Sequence, residues 1–286
     1  MILRKWFKIN AQIVFILTLP ICTVAFGAGP ITEALGGAMR SGIEREAVLG
    51  NPAALGVLDQ SFLRGYYGKS RLLDTGAGGK NIALGIYDGQ NTNAHAGVEY
   101  VKESRAVSHR GVLGYRDRGE LRIGAGRQIW GSVLGGATLR RVTVRDGGPE
   151  ESFFDVDVGA LFPLSSDMRV GLLAQNLAKS QRAAPATLGF GARYDLGSGI
   201  ILRGDLGKLS SGDRKGEKFW AGGLEVTAFG DLLLRTGLYH DAYSDDRGQS
   251  FGAGWVGPRS IFDYSYVRVK NAPNERRHTL GLTVFI

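Results

Sequence analysis

The feature that most constrains this chain is an alternation of apolar and polar side chains that persists from about residue 62 to the last residue. A period of two residues is that of a β-strand, whose side chains point alternately to opposite faces. Turn residues divide the stretch into fifteen candidate strands, each near the ~9–11 residues of a tilted strand that crosses a bilayer. The candidates are 62–69, 81–88, 94–102, 107–116, 120–129, 132–145, 153–162, 168–177, 187–195, 199–206, 218–228, 231–240, 249–257, 260–269 and 277–286.

The connections between the candidate strands alternate in length. The links "NAPNERR", "DAYSDDRGQ", "GKLSSGDRKGE" and "AKSQRAAPA" are long and polar, whereas "GPR", "LGS" and the turn at Phe229–Asp231 are tight. Short turns on one rim and longer loops on the other are typical of an outer-membrane β-barrel. A single-chain bacterial barrel normally has an even number of strands, so one of the fifteen candidates is false. We expect it to be 62–69 or one near 107–129.

The two faces of the candidate strands differ in chemistry. In 231–240, positions 232, 234, 236 and 238 are Leu, Leu, Thr and Leu, whereas 233, 235, 237 and 239 are Leu, Arg, Gly and Tyr. A soluble β-sandwich also alternates, so the pattern by itself leaves both folds open. The loop alternation and the N-terminal region described next favour an all-β barrel with lipid outside and a polar lumen inside. The charged residues then expected in the lumen are Asp155, Asp157, Arg193, Glu225, Arg235 and Asp263.

Residues 1–27 have the organisation of a secretory signal peptide. They contain three basic residues and no acidic one, and the apolar run "IVFILTLPICTVAF" precedes the small residues "GAG". We expect cleavage after Gly27, with cleavage after Ala28 as the alternative. The run is shorter than the ~20 residues that a membrane-spanning helix needs. The exported chain is therefore predicted to comprise an N-terminal hatch, 28–61, and a barrel, 62–286, in the bacterial outer membrane.

The composition argues against several other classes of protein. Cys22 is the only cysteine and leaves with the signal peptide, so the mature chain forms no disulfide and no thiolate metal site. Removing the three basic residues takes the net charge from +8 to +5, and no basic stripe with interleaved aromatic residues marks a nucleic-acid surface. The four histidines are scattered, and no nucleophile has a partner at a diagnostic spacing. We therefore predict no cofactor, no metal and no nucleic-acid partner, and the chain is not expected to be an enzyme.

The last candidate strand ends in an apolar residue rather than a polar tail. In a closed barrel this strand pairs with the first one, and the alternate apolar residues from 280 to 286 would face lipid. The ending resembles the C-terminal assembly signal of bacterial outer-membrane proteins, although Phe285 is penultimate where those proteins usually end in an aromatic residue. The resemblance implies the barrel assembly machinery as a partner, beside outer-membrane lipid and lipopolysaccharide. The matching residues are Thr279, Gly281, Val284 and Ile286.

The region before the barrel, 28–61, differs from the rest because it is rich in small residues and reads as partly helical. Asn51 is a credible N-cap, and Pro52 is a credible first helical residue. One interpretation is a linker with a single helical turn. The other is a hatch that plugs the mouth of the barrel, in which Asn51 and Pro52 would be the hatch residues.

Several short motifs resemble the FadL-type transporter superfamily of the outer membrane, and in particular its PorV-like branch. The motif "NPAALG" at 51–56 resembles the N-terminal hatch segment of that family, and "DVDVGALFPL" and "MRVGLLAQNL" resemble its strands. The likeness continues in "GGLEVTAFGDLLLRTGLY" and "FDYSY" and covers most of the mature chain. It implies a barrel of about fourteen strands that passes small hydrophobic molecules when the hatch shifts. The family's ligand-binding residues match no recognisable positions here.

Three functional interpretations follow. The first is the channel for small hydrophobic molecules that the resemblance implies. The second is a scaffold or secretion-associated barrel that binds other proteins, which the charged lumen favours. The third and least favoured is a hydrolase sited on the barrel rim. An apolar pocket between hatch and wall would favour transport, and a lumen filled by side chains would favour the scaffold.

The turn at Phe229–Asp231 also predicts one particular contact. If Gly230 is its centre, Glu225 and Arg235 lie directly opposite each other on neighbouring strands, on the polar face. Opposite charges in that arrangement stabilise a strand pair by roughly 0.2–1 kcal/mol. We therefore expect an ion pair inside the lumen that helps to set the register.

Overall fold

The computed structural model describes residues 28–42, 44–91, 93–109, 112–178, 185–241, 245–270 and 275–286. The predicted signal peptide, 1–27, lies outside the described residues. Before the barrel come one α-helix, α1 (Pro30–Ala34), and two 3₁₀ helices, Glu44–Glu46 and Pro52–Val57. None of the helices within these ranges is long and apolar enough to span a membrane.

The described chain from Phe62 onward forms one closed barrel of fourteen antiparallel strands, in which β14 pairs with β1. Closure removes the free sheet edges, so the backbone polar groups are paired within the sheet, as a structure that crosses lipid requires. The strands are β1 (Phe62–Leu72), β2 (Gly78–Asp88), β3 (His95–His109), β4 (Val112–Trp130), β5 (Val133–Asp146), β6 (Glu151–Pro163), β7 (Met168–Gln175), β8 (Thr187–Asp195), β9 (Ile200–Leu209), β10 (Lys218–Ala228), β11 (Leu232–Asp241), β12 (Asp246–Val256), β13 (Ser260–Lys270) and β14 (Glu275–Phe285).

The even strand number is confirmed, and the false candidate lies near 107–129. Candidates 107–116 and 120–129 were wrong as separate strands, because β4 runs unbroken from Val112 to Trp130. Asp117 and Gly119 resemble turn signals in the sequence but pair in register with β3. With 15 and 19 residues, β3 and β4 exceed the ~9–11 that cross the hydrocarbon. The hairpin therefore projects beyond the membrane, where a strand does not need apolar residues.

The strand ends near Phe62 and Phe285 form one rim of the barrel, here called the inner rim, and the opposite ends form the outer rim. The two longest connections between strands, 176–186 and 210–217, lie at the outer rim, and longer loops face the cell exterior in such barrels. The long links predicted at "NAPNERR" and "DAYSDDRGQ" are shorter than expected, because their polar residues continue β14 and β12. Residues 242–244 and 271–274 of these links lie outside the described residues.

The apolar side chains of the strands point outward. In β11, Leu234 and Leu238 are exposed while Arg235 and Tyr239 are buried, as the alternation predicts. The outward aromatic residues include Trp255 and Phe262, whose rings stack at 5.9 Å between centroids. A closed barrel with an apolar exterior and a polar interior is suited to a lipid surrounding, so the exterior faces the hydrocarbon of the outer membrane.

The C-terminal residues lie in the seam that closes the barrel. Phe285 pairs with Phe62, and the backbone amide of Ile286 donates a 3.0 Å hydrogen bond to the carbonyl oxygen of Ser61. Val284 and Ile286 are exposed on the lipid side, whereas the side chain of Thr279 is buried inside. These positions fit a closing strand, while recognition of the sequence by the assembly machinery stays a prediction.

Candidate functional site

The N-terminal segment, defined as residues 28–58, packs against the inward faces of the strands. Helix α1 contacts β11 to β14, and the 3₁₀ helix Pro52–Val57 contacts β3 to β6. Inward glycines bring the two backbones together. A methyl group at Gly171 would overlap the carbonyl oxygen of Arg40, and one at Gly237 would overlap the backbone of Gly36. The high glycine content of the chain thus has a structural use, because it lets the segment lie directly on the wall.

Asn51 joins the N-terminal segment to the wall. Its side chain is fully buried, and its Nδ2 lies 2.7 Å from the carbonyl oxygen of Arg40 and 3.1 Å from that of Leu172 in β7. Its Oδ1 accepts a 3.1 Å hydrogen bond from the amide of Ala53, which is the N-cap geometry expected from the sequence. Pro52 follows as the first residue of the 3₁₀ helix and is also buried.

A buried ion pair links the segment to β9, two strands away from β7. Arg40 Nη1 lies 3.2 Å from Oδ2 of Asp205 in β9, and the same oxygen accepts hydrogen bonds from the backbone amides of Met39 and Arg40 at 2.8 and 2.9 Å. The guanidinium also lies 4.3 Å from the ring centroid of Phe219. Burial lowers the pKa of Arg40, and the Asp205 carboxylate opposes that shift. An arginine remains cationic despite such a shift, so the pair is ionic.

Two glutamates hold the first residues of the segment. Glu33 in α1 accepts a 2.7 Å hydrogen bond from the hydroxyl of Ser265 and pairs with Arg277 at 3.2 Å. Burial raises the pKa of Glu33, while Arg277 favours its charged form. Glu46 pairs with Arg64 of β1 at 2.6 Å and also accepts the backbone amide of Thr32 at 2.8 Å. The segment is therefore fixed to the wall by several polar contacts as well as by packing.

The predicted contact between Glu225 and Arg235 is present in the structure. The two residues are direct cross-strand partners, and Arg235 Nε lies 2.5 Å from Oε2 of Glu225. Arg235 Nη1 also lies 2.7 Å from Oδ1 of Asp263 on β13, a second partner that the turn geometry did not indicate. Phe229 and Gly230 both have positive φ, at 49° and 78°, so the turn is of the type that suits a tight hairpin.

The remaining predicted lumen charges belong to other parts of the wall. Asp155 and Asp157 lie 3.5 and 3.0 Å from Arg140 Nη2 on β5 and are buried. Arg193 does not join them; its guanidinium lies 3.5 Å from Asp195 near the inner rim. The lumen charges therefore form separate ion-pair groups.

The inward face changes character around the barrel. On one side, here called the charged wall, Glu120 of β4 pairs with Arg118, Arg122 and Arg140. On the other side, here called the apolar wall, four buried residues of β10, β11 and β13 pack together and against Ala38 of the segment. They are Ala221, Tyr239, Val267 and Val269. All four lie toward the outer-rim ends of their strands and are buried together with Ala38.

The contacts that hold the segment were not predictable from the sequence. Asp205 lies on the inward face of a predicted strand, but its partner Arg40 is 165 residues earlier in the chain. Glu33 and Glu46 also lie in the predicted hatch, and the sequence does not indicate which basic residues they pair with. Asp205 is an inward acidic residue without a cation opposite it on a neighbouring strand, and this could have indicated a partner in the N-terminal segment. Within the described ranges, no group of three His, Cys, Asp or Glu residues could hold a metal ion.

Comparison with solved structures identifies the class of fold. The barrel and its N-terminal segment have the fold of FadL-type outer-membrane transport proteins, with about one residue in eight identical. No protein-family model matches the sequence, and no curated protein sequence matches it.

Three similar structures define the class more closely. The CymD monoaromatic hydrocarbon channel superposes with a TM-score of 0.73 at 12% identity, covering 92% of this chain and 98% of that one. The toluene transporter TbuX of Ralstonia pickettii gives a TM-score of 0.71 at 12% identity, covering 91% and 98%. A FadL homologue of Pseudomonas aeruginosa gives 0.63 at 12% identity, covering 93% and 98%. Likeness at this level of identity concerns the fold, and none of these matches separates the PorV-like branch from the others.

Proposed function

We propose that this chain is an outer-membrane channel for small apolar molecules and that the N-terminal segment is its hatch. The apolar wall is the main support for this proposal, because it lies toward the outer rim and packs directly on Ala38 of the segment. An apolar molecule that entered from outside would meet the segment where Tyr239 and Val267 pack on it. Apolar surfaces with few polar groups are what such ligands bind.

In this mechanism the segment must move for a molecule to pass. The wall glycines leave no gap between it and the backbone of β7 or β11, as the close approaches at Gly171 and Gly237 indicate. The contacts to be broken are several polar ones, among them the buried pair of Arg40 and Asp205, together with apolar packing against the wall. An ion pair of this kind holds the segment in one discrete position and lets it take another position when the pair is broken. A hatch that opens and closes needs two such positions.

The substrate class follows from the same wall and from the similar structures. CymD is described as a monoaromatic hydrocarbon channel and TbuX as a toluene transporter. Small aromatic hydrocarbons have the chemistry that the side chains of Tyr239, Val267 and Val269 would accept. We propose hydrocarbons of this size as the substrates, rather than sugars or ions.

A scaffold that binds other proteins is the second candidate. The charged wall favours it, because Glu120 and its three arginine partners occupy the lumen with side chains that pair with one another. A lumen built in this way is suited to a rigid barrel that presents its rims to a partner.

Uptake measurements separate these two functions. We would express the chain in a Gram-negative host whose outer membrane excludes apolar compounds, and follow the initial uptake of a fluorescent naphthylamine. Expression is expected to raise the rate, and Val267→Asn is expected to lower it about tenfold, because an amide in an apolar path costs about 1–3 kcal/mol. The matched control is Val142→Asn, a buried inward valine of the charged wall, which is expected to leave uptake unchanged.

The proposal of transport would be wrong if expression left uptake at the level of an empty vector while the barrel was fully assembled. That result would favour the scaffold. Equal losses in the Val267 and Val142 variants would instead show that the apolar wall is not the path.

A further inference from the structure

The outward face of the barrel at the outer rim carries a row of arginines on three adjacent strands. Arg71 of β1 is the direct partner of Arg276 of β14, and Arg276 is in turn the direct partner of Arg268 of β13. All three side chains are exposed on the outside of the barrel. Directly opposed residues in a sheet lie about 4.5–5.5 Å apart, and like charges at that distance repel.

More cations surround this arginine row on the same face. Lys69 of β1 is opposite Lys80 of β2, and Lys270 of β13 is opposite Arg247 of β12. No outward position of β13, β14 or β1 holds an aspartate or glutamate, because Asp263 and Glu275 point into the barrel. Within the described part of the chain, none of the three arginines of the row has an ion-pair partner. The face therefore carries an unbalanced positive charge.

Two other outer-rim cations have acidic partners. Arg116 pairs with Asp146 at 2.5 Å, and Arg214 pairs with Glu217 at 2.7 Å. The arginine row differs from these two cations because no acidic residue faces it from β13, β14 or β1. A fold that places three arginines side by side without a counter-charge is stabilised when an anion binds there.

An apolar groove on the outside of the wall begins below the arginine row and extends to Leu63 and Val284 at the inner rim. One layer of outward residues, with His278 between Lys69 and Tyr266, separates it from the row. Its volume is about 1120 Å³, and its lining includes Tyr67, Ile82, Tyr264 and Leu280, each on a strand that also carries one of the cations. Gly65 deepens it, because this outward position between Leu84 and Leu282 has no side chain. A groove of this size is comparable with the larger small-molecule pockets of ~300–1,000 Å³.

We propose that this face binds the lipid A part of lipopolysaccharide, with its phosphates on the arginine row and its acyl chains against the groove. Guanidinium groups bind phosphate oxygens in a bidentate manner, and several adjacent arginines suit a molecule with more than one phosphate. The row lies at the outer rim, at the level of the outer-leaflet head groups. The upper end of the groove, at Tyr67 and Leu280, lies four residues further along each strand from Arg71 and Arg276, at the level of the acyl chains. This surface is separate from the lumen, so the inference does not depend on the proposed transport.

Native mass spectrometry of the detergent-solubilised full chain with added lipid A tests the inference. The variant replaces Arg71, Arg268 and Arg276 with serine, and the matched control replaces three exposed outer cations of other strands with serine, which removes the same charge. These are Lys102, Lys208 and Lys218. The arginine variant is expected to lose lipid A binding by about tenfold or more, and the lysine control to stay within about twofold.

Two further ligands test whether binding depends on the phosphates of lipid A. Dephosphorylated lipid A is expected to bind as weakly to the native chain as lipid A does to the arginine variant. Phosphatidylglycerol, an anionic lipid with one phosphate, is expected to bind more weakly than lipid A. Equal binding of lipid A to the native chain and the arginine variant would overturn the inference, as would equal binding of phosphatidylglycerol or of the dephosphorylated form. If the triple variant fails to assemble, Arg276→Ser alone, at the centre of the row, must still weaken lipid A binding.

Discussion

Replacing Asp205 with asparagine tests directly whether the N-terminal segment is held by its contact with Arg40. The Oδ2 atom of Asp205 lies 2.8 and 2.9 Å from two backbone amides of the segment and 3.2 Å from the guanidinium. Asparagine keeps the shape and one acceptor oxygen but loses the charge. A hydrogen bond to a charged group contributes about 1.5–3 kcal/mol. We therefore expect the population with the segment released to rise roughly tenfold to a hundredfold.

Limited proteolysis measures this release because Arg40 is a trypsin site that is buried while the segment is docked. The Asp205→Asn variant is expected to be cut after Arg40 much faster than the native chain, while the barrel keeps its heat-modifiable mobility on gels. When opening is fast relative to cleavage, the rate of cleavage follows the open population. In the same variant, planar bilayers should record more frequent conductance events.

The matched control is Asp155→Asn. Asp155 is also buried and near an arginine, at 3.5 Å from Arg140, but it belongs to β6 and accepts hydrogen bonds from the backbone amides of Val156 and Ala178. This variant is expected to be cut after Arg40 at the native rate. Cleavage of Asp205→Asn at the native rate, or equal acceleration in both variants, would refute the reasoning that the ion pair holds the segment.

Three other outcomes are expected. Deleting 29–56 should leave an assembled barrel with raised permeability to small solutes, whereas unchanged conductance and uptake would support a linker or scaffold role. Glu225→Ala should destabilise the barrel by about 1–3 kcal/mol, and Arg235→Ala by about 3–5 kcal/mol because it leaves two acidic partners unpaired. The double variant should lose less free energy of unfolding than the sum of the two single variants. Strictly additive losses in urea unfolding would contradict the pairing. The mature chain should fractionate with outer membranes, and recovery from the periplasm as a soluble protein would disprove the fold.

The sequence predicted the barrel and the faces of its strands because both depend on local patterns. A two-residue period assigns each side chain to the lipid or the lumen, and a tight turn sets the register of its hairpin. Glu225 and Arg235 became predictable for that reason, since only the turn at Phe229–Asp231 separates their strands. The same local evidence failed at Asp117 and Gly119, where a strand continued beyond the membrane and polar residues no longer indicated its end.

The contacts of the N-terminal segment were decided by the tertiary structure alone. Arg40 meets Asp205, and Glu33 meets Arg277, across 165 and 244 residues of sequence. The arginine row likewise joins Arg71 of β1 to the β13–β14 hairpin, and only closure of the barrel brings β1 and β14 together. The pattern of a single sequence does not predict which distant residues come into contact when the barrel closes. The two-residue period of the strands can therefore be predicted from the sequence. The partners of the buried charges depend on how the barrel closes around the N-terminal segment.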